Sequence, residues 1–259
     1  MNYLLWILQR LYFIYAITIF IILMLIIFPF VVIASFFGRI KGGNMVFKLC
    51  NTWADFCFPL VFISCKTIFE APHDKNKAYI FVCNHQGYGD APFLAKIFRQ
   101  PLRVLGKAEM ATIPIFGFIY KMAVVTVDRG SVTDRAQSIR VITSLVTKKI
   151  SVLIFPEGTF NRTGNPLKEF YNGAFRIAIE TQTPIKPILF LDSFDRIPNK
   201  LWNLNPGRAR AVFLDEIPVA GLTMNDISQL KQKTFEIMSD KLREYKASWI
   251  KDKSVVDSQ

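Results

Sequence analysis

Histidine is almost missing from this chain: 259 residues contain only His73 and His85. Histidine is the one side chain whose unperturbed pKa lies near neutrality, so an imidazole base has two positions to choose from. Cysteine is sparse as well. Cys50, Cys57, Cys65 and Cys83 show no C-x-x-C spacing and lie in apolar stretches, the pattern of buried thiols in a reducing compartment; no metal site is expected. No G-x-S-x-G element occurs, which removes the nucleophile elbow of a lipase or esterase. Acidic residues are outnumbered, 20 against 32 basic ones, leaving a net charge of +12.

What the chain has in excess is apolar surface, 51% of its residues. Leu11 to Phe37 carries no charge and is flanked by Arg10, Arg39 and Lys41. As a helix it would be about 40 Å long against a hydrocarbon core of about 30 Å, enough for one tilted or kinked span and too short for two. A second apolar patch, Phe56 to Cys65, is too short to cross. It is expected in the membrane interface with Trp53 as a headgroup-level anchor, or packed on the first helix. The positive-inside rule puts Arg39, Lys41 and Lys48 on the cytoplasmic side, and the rest of the chain with them. Residues 1–66 are therefore expected to form a membrane anchor, 67–250 a single globular domain, and 251–259 a flexible tail. Net positive charge on the globular part fits nucleic acid, an anionic membrane surface or a phosphorylated substrate, and the anchor favours the last two.

From Lys77 onward short β-branched runs alternate with longer stretches of helical period. Strands are expected at Tyr79–Cys83, Leu102–Leu105, Val124–Val127, Val152–Phe155, Ile185–Leu191 and Ala209–Leu214. Helices are expected near Ala91–Phe98, Ile115–Met122, Thr133–Lys148, Gly173–Thr181 and Thr223–Lys246, the last opened by a Thr223/Asp226 capping box. This alternation predicts an α/β fold, a largely parallel sheet flanked by helices, with the N-terminal hydrophobic region attached. Ligands in such sheets meet the loops beyond the strand ends.

Three such loops stand out. Asn84-His85-Gln86-Gly87-Tyr88-Gly89-Asp90 follows the first strand. On a regular helix positions i and i+5 diverge by about 140°, so His85 and Asp90 meet only if the stretch turns; Gly87 and Gly89 can supply positive φ angles for that. Asp90 also suits the N-cap of a helix beginning Ala91-Pro92, and the two readings are compatible. Asp128-Arg129-Gly130 follows the third strand, and Arg129 either pairs with a neighbouring Asp or offers its donor fork to phosphate. Pro156-Glu157-Gly158-Thr159-Phe160-Asn161-Arg162 follows the fourth, either as an ordinary β-turn or as a loop whose backbone N–H groups approach an anion at Gly158.

In this order, Asn84-His85 with Asp90, Asp128-Arg129, Phe155-Pro156-Glu157-Gly158-Thr159 and Thr183-Pro184-Ile185-Lys186-Pro187-Ile188 resemble the four blocks of the glycerolipid acyltransferase family, most closely its bacterial 1-acylglycerol-3-phosphate acyltransferases. The resemblance spans about Thr67 to Leu191. It implies acyl transfer from a thioester, acyl-CoA or acyl-carrier protein, to the sn-2 hydroxyl of a lysophospholipid at the bacterial inner membrane, with no other cofactor and no nucleic acid. His85 would be the general base and Asp90 its orienting partner. Arg129, Glu157, Gly158 and Thr159 would hold the glycerol phosphate, with Lys107 a further candidate. The family commonly has Arg after the Glu-Gly-Thr element, where this chain has Phe160. Arg162 is then the nearest replacement, and another lysolipid or glycerol 3-phosphate becomes an alternative acceptor. A non-catalytic anionic-lipid-binding membrane protein is the alternative of another class.

Overall fold

A computed structural model describes residues 3–127, 132–198 and 202–251, except for the side chains of 132 and 134–136. Helix α1 (Tyr3–Ser35) is followed by one π-helical turn, Gly38–Gly42, and by α2 (Gly43–Leu60). The remainder runs β1 (Ile63–Phe69), β2 (Ile80–Cys83), α3 (Asp90–Ile97), β3 (Leu102–Lys107), α4 (Phe116–Ala123), β4 (Val124–Val127), α5 (Val132–Val146), β5 (Ser151–Ile154), α6 (Gly173–Glu180), β6 (Ile185–Phe190), α7 (Ser193–Arg196), β7 (Gly207–Phe213) and α8 (Ile227–Glu244).

The seven strands form one sheet in the order β1-β7-β6-β2-β5-β3-β4. β6, β2, β5, β3 and β4 are parallel; β7 runs antiparallel to β6, and β1 pairs parallel with β7. All four residues of β2 and of β5 are buried, as expected of central parallel strands covered on both faces. One apolar cluster joins the sheet to α5, α6 and α8; a second joins its other face to α2, α3 and α1. The reciprocal Thr223/Asp226 capping box read from sequence is in place; it opens a 3-10 turn, Met224–Asp226, that leads into α8.

Two expectations change in the N-terminal third. Phe56 to Cys65 forms the last turn of α2 and the start of edge strand β1, with Phe56, Leu60 and Phe62 exposed. Trp53 is buried against Phe20 of α1, ring centroids 4.8 Å apart, so it packs on the first helix and anchors nothing at headgroup level. Lys48, Thr52 and Asp55 lie on the exposed side of α2, while buried Asn51 donates to the carbonyls of Ala95 and Phe98 and finishes α3. A division of the chain at 66/67 would cut β1 in the middle.

Helix α1 would be about 50 Å long. It is the one described helix long and apolar enough to cross a membrane. Only Ala16, Val31 and Ala34 of it are buried, whereas Leu4, Leu8, Leu11, Ile22, Leu25, Ile26 and Phe30 remain exposed. So long an unpartnered apolar face associates the chain with a membrane.

Candidate active site

Because β2 and β5 are adjacent and parallel, the loops following Cys83 and Ile154 leave the sheet side by side. Two hydrogen bonds stitch them together, and a third, between Lys168 and Glu157, braces the second loop internally. The backbone N–H of His85 donates to Oε1 of Glu157 at 2.9 Å, and the N–H of Lys168 donates to Oε2 at 2.8 Å. The N–H of Asn161 donates to the carbonyl of His85 at 2.7 Å. Beneath them Asn84 acts as a strand substitute: its amide donates to the carbonyl of Phe190 and accepts from that residue's N–H, tying the first loop to β6.

On this frame His85 and Asp90 meet, Nδ1 to Oδ2 at 2.7 Å. The same oxygen accepts the N–H groups of Gln86 and Gly87, and Oδ1 accepts the hydroxyl of Ser193 at 2.6 Å. Asp90 is 1% exposed, so its charge is held entirely by dipoles. The turn that brings the pair together does not use left-handed glycine: Gly87 and Gly89 lack positive φ angles, and Gly89 is helical. Gly89 is required for space instead, since a Cβ there would lie 2.7 Å from Cβ of Ile197. Nor is Asp90 an N-cap. It is the first residue of α3, and its carboxylate reaches back to residues 85–87 rather than forward to the helix amides.

With Nδ1 given to the carboxylate, Nε2 is the ring nitrogen that can accept a proton, and the His85 side chain keeps 19% of its exposure. Aromatic rings wall it in. Phe155 stacks on the imidazole at 3.9 Å, Phe160 meets it edge-on at 4.5 Å, and Tyr88 meets Phe160 at 5.0 Å. The other histidine is out of reach of this loop. His73 precedes β2 at the far end of the strand, ringed by Phe69, Tyr79 and Phe213, and burial lowers its pKa.

Glu157 is placed differently from the phosphate-holding position expected of it. At 1% exposure, with both oxygens on backbone N–H groups, it faces into the protein. Burial pushes its carboxyl up to about 7, against the pull of those two amides. Gly158 has a left-handed φ of 71°, and its N–H closes a β-turn on the carbonyl of Phe155 at 3.1 Å, so that amide is not offered to an anion. Thr159 is exposed and accepts from Nζ of Lys168 at 2.7 Å. Arg162 is exposed in the same loop, and exposed Lys107 ends β3, two strand positions from β2 or about 10 Å across the sheet. Arg129 lies outside the described residues; the strand that precedes it, β4, is the far edge of the sheet. Sequence reading missed Ser193, Lys168 and Phe155. Only Phe155 stood inside a recognisable block, while Ser193 and Lys168 act through contacts that no local spacing reveals.

A buried carboxylate fixing one imidazole nitrogen and leaving the other open is a general-base arrangement. Comparison with known proteins bears on the family and the fold. Residues 66–191 match the family described as Acyltransferase. An acyltransferase of Schizosaccharomyces pombe is 31% identical over 80% of this chain and 73% of its own length. The 1-acyl-sn-glycerol-3-phosphate acyltransferase of Haemophilus influenzae is 26% identical over 80% of this chain and 86% of its own. Among solved structures, the 1-acyl-sn-glycerophosphate (LPA) acyltransferase PlsC of Thermotoga maritima has the same fold, with a TM-score of 0.72 over 97% of this chain and 100% of that one at 22% identity. With a relative 31% identical over 80% of its length and the family match over residues 66–191, the chain belongs to the acyltransferase family.

Proposed function

We propose that the chain transfers an acyl group from a thioester to the sn-2 hydroxyl of 1-acylglycerol 3-phosphate, giving phosphatidate. The observation that carries this reading is the His85–Asp90 pair at 2.7 Å, with Asp90 immobilised by three further donors. Nε2 of His85 takes the proton of the acceptor hydroxyl as its oxygen forms a bond to the thioester carbonyl carbon. Asp90 stabilises the imidazolium that results. Collapse of the tetrahedral intermediate breaks the C–S bond, and the departing thiolate recovers the proton from His85. No acyl-enzyme is required. The relatives named for 1-acyl-sn-glycerol-3-phosphate support this acceptor.

The acceptor phosphate would meet the cations of the site end, exposed Lys107 and Arg162 and half-buried Lys168, together with Arg129. Glu157, Gly158 and Thr159 would act by shaping their loop. The donor would be acyl-CoA or acyl-carrier protein, both acidic partners for a basic surface. The apolar face of α1 would hold the site at an anionic membrane surface where lysolipid and product reside. Arg39, Lys41 and Lys48 would place it on the cytoplasmic face of a bacterial inner membrane.

A second acceptor reading rests on Phe160, whose ring edge stands on His85. An apolar neighbour there suits a lysolipid without a phosphomonoester, or with a larger headgroup. An acceptor panel with the purified full chain and radiolabelled acyl thioester separates the two. The proposal expects lysophosphatidate to give the highest kcat/KM and His85→Ala to abolish transfer from a folded protein. Wild-type turnover by His85→Ala would end the mechanism, and preference for a neutral lysolipid would replace the acceptor.

A further inference from the structure

At the opposite end of the parallel strands from His85, the sheet holds a charge that no acid among the described residues neutralises. Arg103, the second residue of β3, is 3% exposed, and among the described residues no carboxylate lies within 4.0 Å of it. Its guanidinium donates to the carbonyls of Leu102, Arg39 and Ile40 at 2.8, 3.0 and 3.1 Å. The turn between α1 and α2 is built around it: a Cβ on Gly43 would collide with its terminal nitrogen. Carbonyl dipoles satisfy donors but leave a full unit of positive charge, and burial drags the pKa of Arg103 down to about 10.

Arg103 opens onto a cavity of about 440 Å³ between α4, α5 and the α1–α2 turn. Arg39 and Lys121 line the same cavity, and among the described residues no acidic one does. Met122, Val124, Val125, Val141 and Leu145 give it apolar walls, and Thr126, Gln137 and Ser138 add polar groups. Just past the end of α1 and ahead of Arg39, Phe36 and Phe37 are 84% and 56% exposed. Three cations above apolar walls, at the end of a helix with an apolar outer face, fit a ligand that has one phosphate and one hydrocarbon end.

We propose that this cavity binds the phosphate headgroup of an anionic phospholipid, with Arg103 at its floor and Arg39 and Lys121 at its mouth. The site is separate from the proposed catalytic one. Arg103 is level in the sheet with Val152 and hence with Ile80, five residues or about 16 Å along the strand direction from His85.

The test uses the full chain in neutral phosphatidylcholine micelles, titrated with phosphatidylglycerol while thermal unfolding is followed. Removing Arg103 would also remove a cap from the α1–α2 turn, so the variant is Arg39→Gln/Lys121→Gln, which leaves Arg103 in place. Phosphatidylglycerol is expected to raise the midpoint saturably for the wild type. The double variant should bind it roughly thirtyfold more weakly, about fivefold for each charge removed. An equal constant in both proteins would place the lipid elsewhere and overturn the proposal. So would an equal shift from inorganic phosphate at the same concentration, which would make the ligand a free anion, or from added phosphatidylcholine, which would make charge irrelevant.

Discussion

Ser193 offers the sharpest test of the catalytic geometry, because it acts only through another residue. Its hydroxyl is 2.6 Å from Oδ1 of Asp90, and both residues are buried. All the other donors to this carboxylate, Nδ1 of His85 and the N–H groups of Gln86 and Gly87, go to Oδ2. Ser193→Ala therefore strips Oδ1 of its hydrogen bond with no water-filled surface to replace it. A hydrogen bond to a charged group contributes about 1.5–3 kcal/mol. If that stabilisation holds the carboxylate in the orientation His85 needs as the imidazolium forms, kcat falls roughly ten- to a hundredfold. The assay is acyl transfer from radiolabelled thioester to saturating lysophosphatidate, with thermal unfolding measured alongside. Two readouts separate positioning from simple destabilisation. A carboxylate with fewer donors holds an imidazolium more strongly, so the acid limb of kcat/KM is expected to move to higher pH. Ser193→Thr, which keeps the hydroxyl, should recover most of kcat. A Ser193→Ala enzyme with kcat within twofold of wild type and an unmoved pH profile would refute the reasoning.

The Glu157 carboxyl, pushed up to about 7 from 4.5 by burial, keeps its proton in the folded state over a range where the unfolded chain has lost it. Stability should therefore fall by up to about 3 kcal/mol as pH rises from about 4.5 to about 7; denaturant unfolding at several pH values should show that slope in the wild type and a flatter one in Glu157→Gln. Gly89→Ala forces a Cβ against Ile197 and is expected to cost about 1–3 kcal/mol, as overpacked sites do, with Ile197→Ala in the double variant restoring part of it. Arg162→Ala should raise the apparent KM for lysophosphatidate and leave that for a neutral lysolipid alone; equal values for both acceptors would remove Arg162 from phosphate binding.

Most of the helices and strands were legible because of how they are buried. The central strands are covered on both faces, so Ile80–Cys83 and Ser151–Ile154 read as unbroken apolar runs within one or two residues of their limits. Strand order was not legible. Parallel neighbours are joined by long crossovers, so nothing near Ile63 announces that β1 pairs with β7, some 140 residues later. Helix α2 escaped for a different reason. Lys48 and Asp55 interrupt its apolar pattern, yet they occupy the exposed side while Val46, Phe47, Ala54, Cys57 and Phe58 fill the other. Within the site, the residues that carry reactive groups were visible as blocks, and their direction was not. Glu157 in a Pro-Glu-Gly turn can point either way, and the amide of Lys168, eleven residues on, decides it.

The two buried carboxylates of this end of the sheet share one principle of construction. Asp90 and Glu157 are both 1% exposed, and neither is paired with a lysine or arginine. Backbone N–H groups, one hydroxyl and, for Asp90, the imidazole itself donate to their oxygens. A cation at either position would have compensated the charge more fully, but it would have been consumed there, and beside His85 it would have disfavoured the imidazolium on which proton transfer depends. Lys107, Lys168 and Arg162 instead remain outside any ion pair recorded among the described residues. The loops are thus rigid where the base must be held still and cationic where an anionic substrate would arrive. That division explains why Ser193, a neutral residue far away in sequence, stands next to the proposed catalytic carboxylate at a position where a charged one would work against the proposed chemistry.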